Sequence, residues 1–129
     1  MADDIPPTGA AHIGLVLDCR DPSTLAPFWA QAIGYVELGK VDNYVLLAPD
    51  GQPGPNLLLQ QVPEAKSAKN RMHLDIHTTD IEGEAARLEQ LGARRVETEQ
   101  LSDSTGSNWV LMADPEGNEF CVCDGGGDC

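Results

Sequence analysis

His73, Asp75 and His77 alternate with Leu74 and Ile76 near the middle of the chain. In a β-strand, residues two apart point to the same side of the sheet, so the three polar groups would share one face. A histidine on such a face is a candidate metal ligand or general base. The plainer alternative is a hydrogen-bonded histidine that anchors its strand. Asp75 stands between two imidazoles and could orient one by accepting its N–H. It could equally pair with a neighbouring arginine such as Arg71, and this structural pairing is the favoured reading. His77 falls near the strand end, where a rim position is expected.

A second alternation lies close to the C-terminus, where Glu119, Cys121 and Cys123 would share a face. A carboxylate held in apolar surroundings would have a raised pKa and could serve as an acid or base. Glu119 could instead close the preceding turn, and that is favoured. Cys121 and Cys123 could form a redox pair or bind a metal, but simple packing is the default for small, soft side chains. Tyr44 and Trp109 sit in strand-like segments. With aromatic residues at only 5%, each is first a core residue, although either could line a pocket and stack on a ligand.

These residues belong to a pattern that occurs twice. One stretch reads HIGLVLDCRDPSTLAPFWAQAIGY from His12, and another reads HLDIHTTDIEGEAARLEQLGA from His73. Each is a short apolar run, then an aspartate, a helical segment and a glycine. Asp21 is a good N-cap, with Pro22 at the first helical position. Leu25, Phe28, Trp29, Ala32 and Ile33 then recur at i, i+3, i+4, i+7 and i+8, one face of a helix. Pro27 lies near the first turn, where its cost is lower. Gly34 supplies the stop. In the second copy Asp80 or Thr79 caps a helix whose stripe is Ile81, Ala85, Leu88 and Leu91, and Gly92 ends it.

Three strands should follow each helix, at about 36–39, 44–48 and 56–62, and at about 94–98, 108–113 and 119–123. Asp50-Gly51 and the Asp114, Pro115, Gly117, Asn118 group read as turns explained by backbone geometry. The expected organisation is a flexible N-terminus over 1–9, a first βαβββ module over 10–63 and a linker over 64–70. A second module follows over 71–124, then a flexible tail over 125–129. One such unit cannot cover both faces of its sheet. Two together make an α+β fold: a curved eight-stranded mixed sheet with helices outside and a cup inside, so the repeat predicts a pocket.

Composition narrows the partners. A chain of 129 residues, 41% hydrophobic, can build a core without staples. A net charge of −13 repels phosphate backbones and anionic lipid, so neither nucleic acid nor membrane is an expected partner. The first ten residues carry acids and prolines rather than a basic start and an apolar run, which points to the cytoplasm. In that reducing compartment the four cysteines are expected to be free thiols.

Three segments carry a resemblance: LDCRDPSTLAPFWAQAIGY, LLLQQVPEAKSAKNRMHLDIHTTD and WVLMADPEGNEFCVC. Together they make the chain resemble the vicinal oxygen chelate superfamily, in its glyoxalase-like and bleomycin-resistance-like branch. The resemblance implies a small oxygenated metabolite or drug bound in the cup. Some members act as lyases, isomerases or dioxygenases; others sequester a ligand without metal or chemistry. Catalytic members commonly hold a divalent metal (Zn, Ni, Mn or Fe) through His, Gln or Glu from the first and last strand of each unit. Carried over, the pattern selects His73, Gln60 and Cys121. Gly14 stands where the fourth ligand is expected, with His12 a displaced substitute. Facing the expected cup, His73 and Glu119 are the catalytic candidates, and Tyr44, Gln60, Asp75, Trp109 and Cys121 are the candidates to surround a ligand. The resemblance makes a homodimer plausible, because several members complete their cups across one.

Overall fold

Asp21 and Asp80 start both helices in the same way: each carboxylate accepts the backbone N–H three residues on, from Thr24 at 3.2 Å and Gly83 at 3.0 Å. Gly34 and Gly92 end them in left-handed conformations that side chains resist. A computed structural model describes residues 13–96, 101–102 and 108–124. His12 and the two expected flexible ends lie outside the described residues. The first half contains β1 (Leu15–Cys19), α1 (Pro22–Ile33), β2 (Tyr35–Val41), β3 (Tyr44–Pro49) and β4 (Leu57–Gln61). The second contains β5 (Leu74–Thr78), α2 (Ile81–Leu91), β6 (Arg94–Arg95), β7 (Leu101–Ser102), β8 (Asn108–Ala113) and β9 (Glu119–Asp124).

The two halves are the two βαβββ units of an α+β fold. The first sheet runs β1-β4-β3-β2 and the second β5-β9-β8-β6, with β7 also paired to β8. In each, the opening strand lies parallel to the closing one, β1 on β4 and β5 on β9. The strand expected at 94–98 pairs as β6 only over Arg94 and Arg95, extended by a hydrogen bond from the Val96 N–H to the Leu111 carbonyl. Residues 97 and 98 lie outside the described residues. Among the described residues, β1 and β5 each keep one edge without a strand partner, and residues of both border one cleft.

Both sheets turn one face toward the helices, and a single apolar core joins them. It combines Leu25, Phe28 and Trp29 of α1 with Ala85 and Leu88 of α2, Leu57 and Leu59 of β4, and Phe120 and Val122 of β9. The Trp29 and Phe120 rings meet edge to face at 5.3 Å, so α1 packs across onto the second sheet. Pro27 sits inside α1 on its exposed side, where its ring leaves the buried stripe undisturbed.

Polar bonds tie the same junction. The buried Trp29 Nε1 donates to Asp114 Oδ2 at 2.8 Å. Asp114 also accepts from the Glu116 and Asn118 backbone N–H groups and the Asn118 side chain. The turn glycine, Gly117, has φ of +90°, which explains that residue. Glu116 reaches back to accept the Arg20 and Asp21 N–H groups at 2.6 and 2.9 Å. Arg87 of α2 donates to the Gln31 and Ala32 carbonyls at the end of α1, where a cation also suits the helix dipole. No helix among the described residues is long and apolar enough to cross a membrane.

This junction sets a stability test. Asp114→Ala orphans several buried donors, each worth about 1–3 kcal/mol, so a loss of about 3 kcal/mol or more is expected in urea unfolding. Arg95→Ala, which removes ion pairs with Glu82 and Glu89 at the surface, should hardly move the midpoint. Equal effects from the two variants would show that the junction is not anchored at Asp114.

Candidate functional site

The site follows from strand alternation. On β1 the side chains of Leu15, Leu17 and Cys19 face the core, which turns Gly14, Val16 and Asp18 to the open face. Asp18 stands opposite Gln60, and Gln60 opposite Tyr44, so these three form one row across the first sheet. On the second sheet Asp75 stands opposite Cys121, His77 opposite Cys123, Trp109 opposite Cys123 and Glu119 opposite Ala113. Phe120 and Val122 take the core side of β9, which turns the acid and both cysteines to the other.

Between β1 and β5 opens a cleft of about 250 Å³. Gly14, Val16 and Leu17 form one wall, His73 and Leu74 the other, and Trp29 lies at its base. Glu119 and Asn118 close one end. A Cβ placed on Gly14 would meet nothing within 4 Å, so the missing side chain is part of the open space. Of the candidates read from sequence, His73 and Glu119 line this cleft. Asp75 and Cys121 lie next to His73. Gln60, Tyr44 and Trp109 stand on the open faces and do not line it. Trp29, Asn70 and Asn118 were not singled out as site residues. Trp29 reads as pure core, and the linker and turn around the other two carried no signal of a nearby cleft.

The polar groups pair differently from the favoured expectations. Asp75 takes His73 as its partner, with Nε2 to Oδ1 at 3.1 Å, rather than Arg71. The same His73 lines the cleft. Glu119 neither carries a raised pKa nor closes the turn, which is the work of Asp114. Burial pushes its carboxyl upward. The hydrogen bond from Lys69 Nζ at 3.0 Å and that from the Asn70 N–H at 3.1 Å outweigh this and hold it below the usual carboxylate range. It is a fixed anion at the end of the cleft.

The cysteines diverge. Cys19 and Cys121 are free, whereas Cys123 is disulfide-bonded, which corrects the expectation of four free thiols. Cys123 Sγ lies 3.7 Å from His77 Nδ1. Burial, reinforced by the nearby Asp75 carboxylate, pushes the Cys121 thiol up to about 11. Burial and surrounding acids push Cys19 up to about 12. Both are neutral thiols near neutral pH.

Two groups bring ligand atoms within 4.8 Å of one another: His73 with Asp75 and Cys121, and Asp75 with His77 and Cys123. The second lacks a thiolate while Cys123 is bonded. The pattern that draws ligands from both halves does not fit these residues. Gly14 has no donor atom, and Gln60 stands in the row of the first sheet with Asp18 and Tyr44.

Comparison with known proteins agrees with this architecture. The family model for the glyoxalase-like domain matches residues 14–123. A glyoxalase/bleomycin resistance protein/dioxygenase from Nocardioides superposes with a TM-score of 0.71 at 14% identity, covering 96% of this chain and 90% of that one. A lactoylglutathione lyase from Agrobacterium tumefaciens superposes with 0.63 at 20% identity, covering 92% and 96%. A glyoxalase/bleomycin resistance protein/dioxygenase family enzyme from Burkholderia phytofirmans PsJN gives 0.65 at 14%, covering 85% and 94%. No curated protein matches the sequence. At these identities the structures share the fold. The vicinal oxygen chelate fold defines the class, and the chain belongs to the glyoxalase-like domain family.

The raised thiol values set a pH dependence. The unfolded chain ionises its thiols near 9.0, whereas folded Cys121 holds its proton to about 11. Between those values the unfolded state binds fewer protons, so stability falls as pH rises. Melting temperature should drop across this window, and less steeply in Cys121→Ala. Identical slopes would mean that Cys121 is not the group responsible.

Proposed function

We propose that this protein binds a small oxygenated metabolite or drug in the cleft between its two halves. The observation that supports the reading is the cleft itself: apolar along β1, floored by an indole, and bordered by the His73–Asp75 pair and the Glu119 carboxylate. Such a lining shields a small molecule from water and offers a few polar groups to orient its oxygens. Family membership favours a small-molecule ligand.

Binding without the two-sided metal is the version these residues support best, because one ligand position is glycine. A catalytic version has one specific support. Asp75 holds the His73 imidazole at the cleft wall, as a base that takes a proton from a bound lyase or isomerase substrate needs. Glu119, paired with Lys69, would act by charge rather than by proton transfer. A homodimer that covers the exposed Leu38, Val41 and Tyr44 of the first sheet is part of the same reading. Sedimentation velocity should then return twice the chain mass, and a monomer at all concentrations would remove it.

The test is a thermal-shift screen with small oxygenated metabolites and antibiotics, on the natural chain and on Gly14→Leu. A ligand at one hundred times its Kd stabilises by about 2.7 kcal/mol. Gly14→Leu has room to fold and places its side chain in the cleft, so a true ligand should lose at least about tenfold in affinity, roughly 1.4 kcal/mol. A ligand that binds both chains equally is not in this cleft, and a screen with no stabilising compound counts against the reading.

A further inference from the structure

We propose that His73, Asp75 and Cys121 form a three-ligand site for zinc or a similar thiophilic divalent ion, contained within the second half of the chain. The site differs from the two-sided pattern, which the first half cannot complete. It does not depend on the ligand proposed for the cleft.

Three observations carry it. The ligand atoms already converge: His73 Nε2 and Asp75 Oδ1 are 3.1 Å apart, and Cys121 Sγ completes a set within 4.8 Å. Ligands on one tetrahedral ion at about 2.0–2.3 Å are separated by little more than this first distance, so small side-chain rotations close the site. The strands fix that convergence, because Asp75 and Cys121 are directly opposed on neighbouring strands and His73 lies two residues from Asp75. Charge also balances. A carboxylate and a thiolate neutralise a dication beside a neutral imidazole, which lowers the cost of holding it next to the buried β9.

The donor set selects the ion. One thiolate, one imidazole and one carboxylate suit zinc or cobalt, whereas magnesium and manganese prefer all-oxygen surroundings. On binding, the Cys121 S–H bond breaks, its proton passes to water and a sulfur–metal bond forms. The imidazole binds as the neutral tautomer with its proton on Nδ1. Lys69, Glu119 and Asp75 are the charged groups that act on Cys121. Because a proton is released, affinity should fall as pH is lowered. Three protein ligands leave a coordination position open. His73 also lines the cleft.

The experiment uses the untagged full chain, stripped of metal, without any organic ligand. Cobalt(II) titration should produce a sulfur-to-cobalt charge-transfer band that saturates at one ion per chain. Zinc should abolish the band, and magnesium should leave it. Cys121→Ser should eliminate the band, Asp75→Asn should weaken binding at least about tenfold, and Gln60→Ala should change nothing. Zinc should also raise the melting temperature of the natural chain and not that of Asp75→Asn, which tests the site even if Cys121→Ser misfolds. No band and no thermal stabilisation would overturn the proposal. So would a band that survives Cys121→Ser, or one lost in Gln60→Ala, which would return the metal to a two-sided site.

Discussion

The two halves of this protein are held in register by a buried carboxylate. Asp114 is 2% exposed and receives donors from its own turn and from the Trp29 indole of the other half. A buried anion is tolerable only when its acceptor capacity is filled. The turn supplies part of that, and α1 supplies the rest by bringing Trp29 within reach. Once the indole is fixed, its faces are available to Phe28 and Phe120, and the aromatic cluster closes the core between the sheets. The base of the cleft is the same indole. Core packing, the angle between the halves and the depth of the cleft therefore share one hydrogen bond.

Around that bond the junction is polar at its edges and apolar at its centre. Glu116, from the opposite half, holds the Arg20–Asp21 backbone just before α1, and Arg87 donates to carbonyls of its last turn. A single helix capped by its own Asp21 and Gly34 is thus also gripped at both ends by the other unit. The exposed acidic surface adds little to this order, since charges in water are screened and weakly coupled. Such charge acts on solubility and on the choice of partners.

Much of the fold was legible in the sequence because its signals are local. Asp21 and Asp80, Gly34 and Gly92, and the stripes through Leu25–Trp29 and Ile81–Leu88 each occupy one turn or one face. Repetition of the same grammar then implied the paired architecture. The convergence of His73, Asp75 and Cys121 was partly legible too, because period two places His73 and Asp75 on one face. What the sequence did not disclose were contacts between distant segments. Lys69 and Asn70 lie in a stretch that reads as connector, yet they hold the Glu119 carboxyl below its usual range from some fifty residues away. The Asp114 turn looked self-sufficient, and its composition was already explained by backbone geometry, which concealed its second role. Arg71 was the nearer guess for Asp75 in charge, but the pleat brings His73 to it instead.

The bare backbone at Gly14 has a meaning for how the duplicated units share their work. Two copies of one unit begin with equal chemical potential, and symmetry would give each a ligand at the start of its first strand. Here one copy presents His73 and the other a glycine with open space beside it among the described residues. Around the cleft the first unit presents apolar groups and a bare backbone, and the second presents the polar groups. With the constraint of matching donors lifted, the first unit's wall is free to vary in shape without disturbing the polar groups that face it. Apolar shape and polar groups around the cleft are thereby assigned largely to separate halves of one chain.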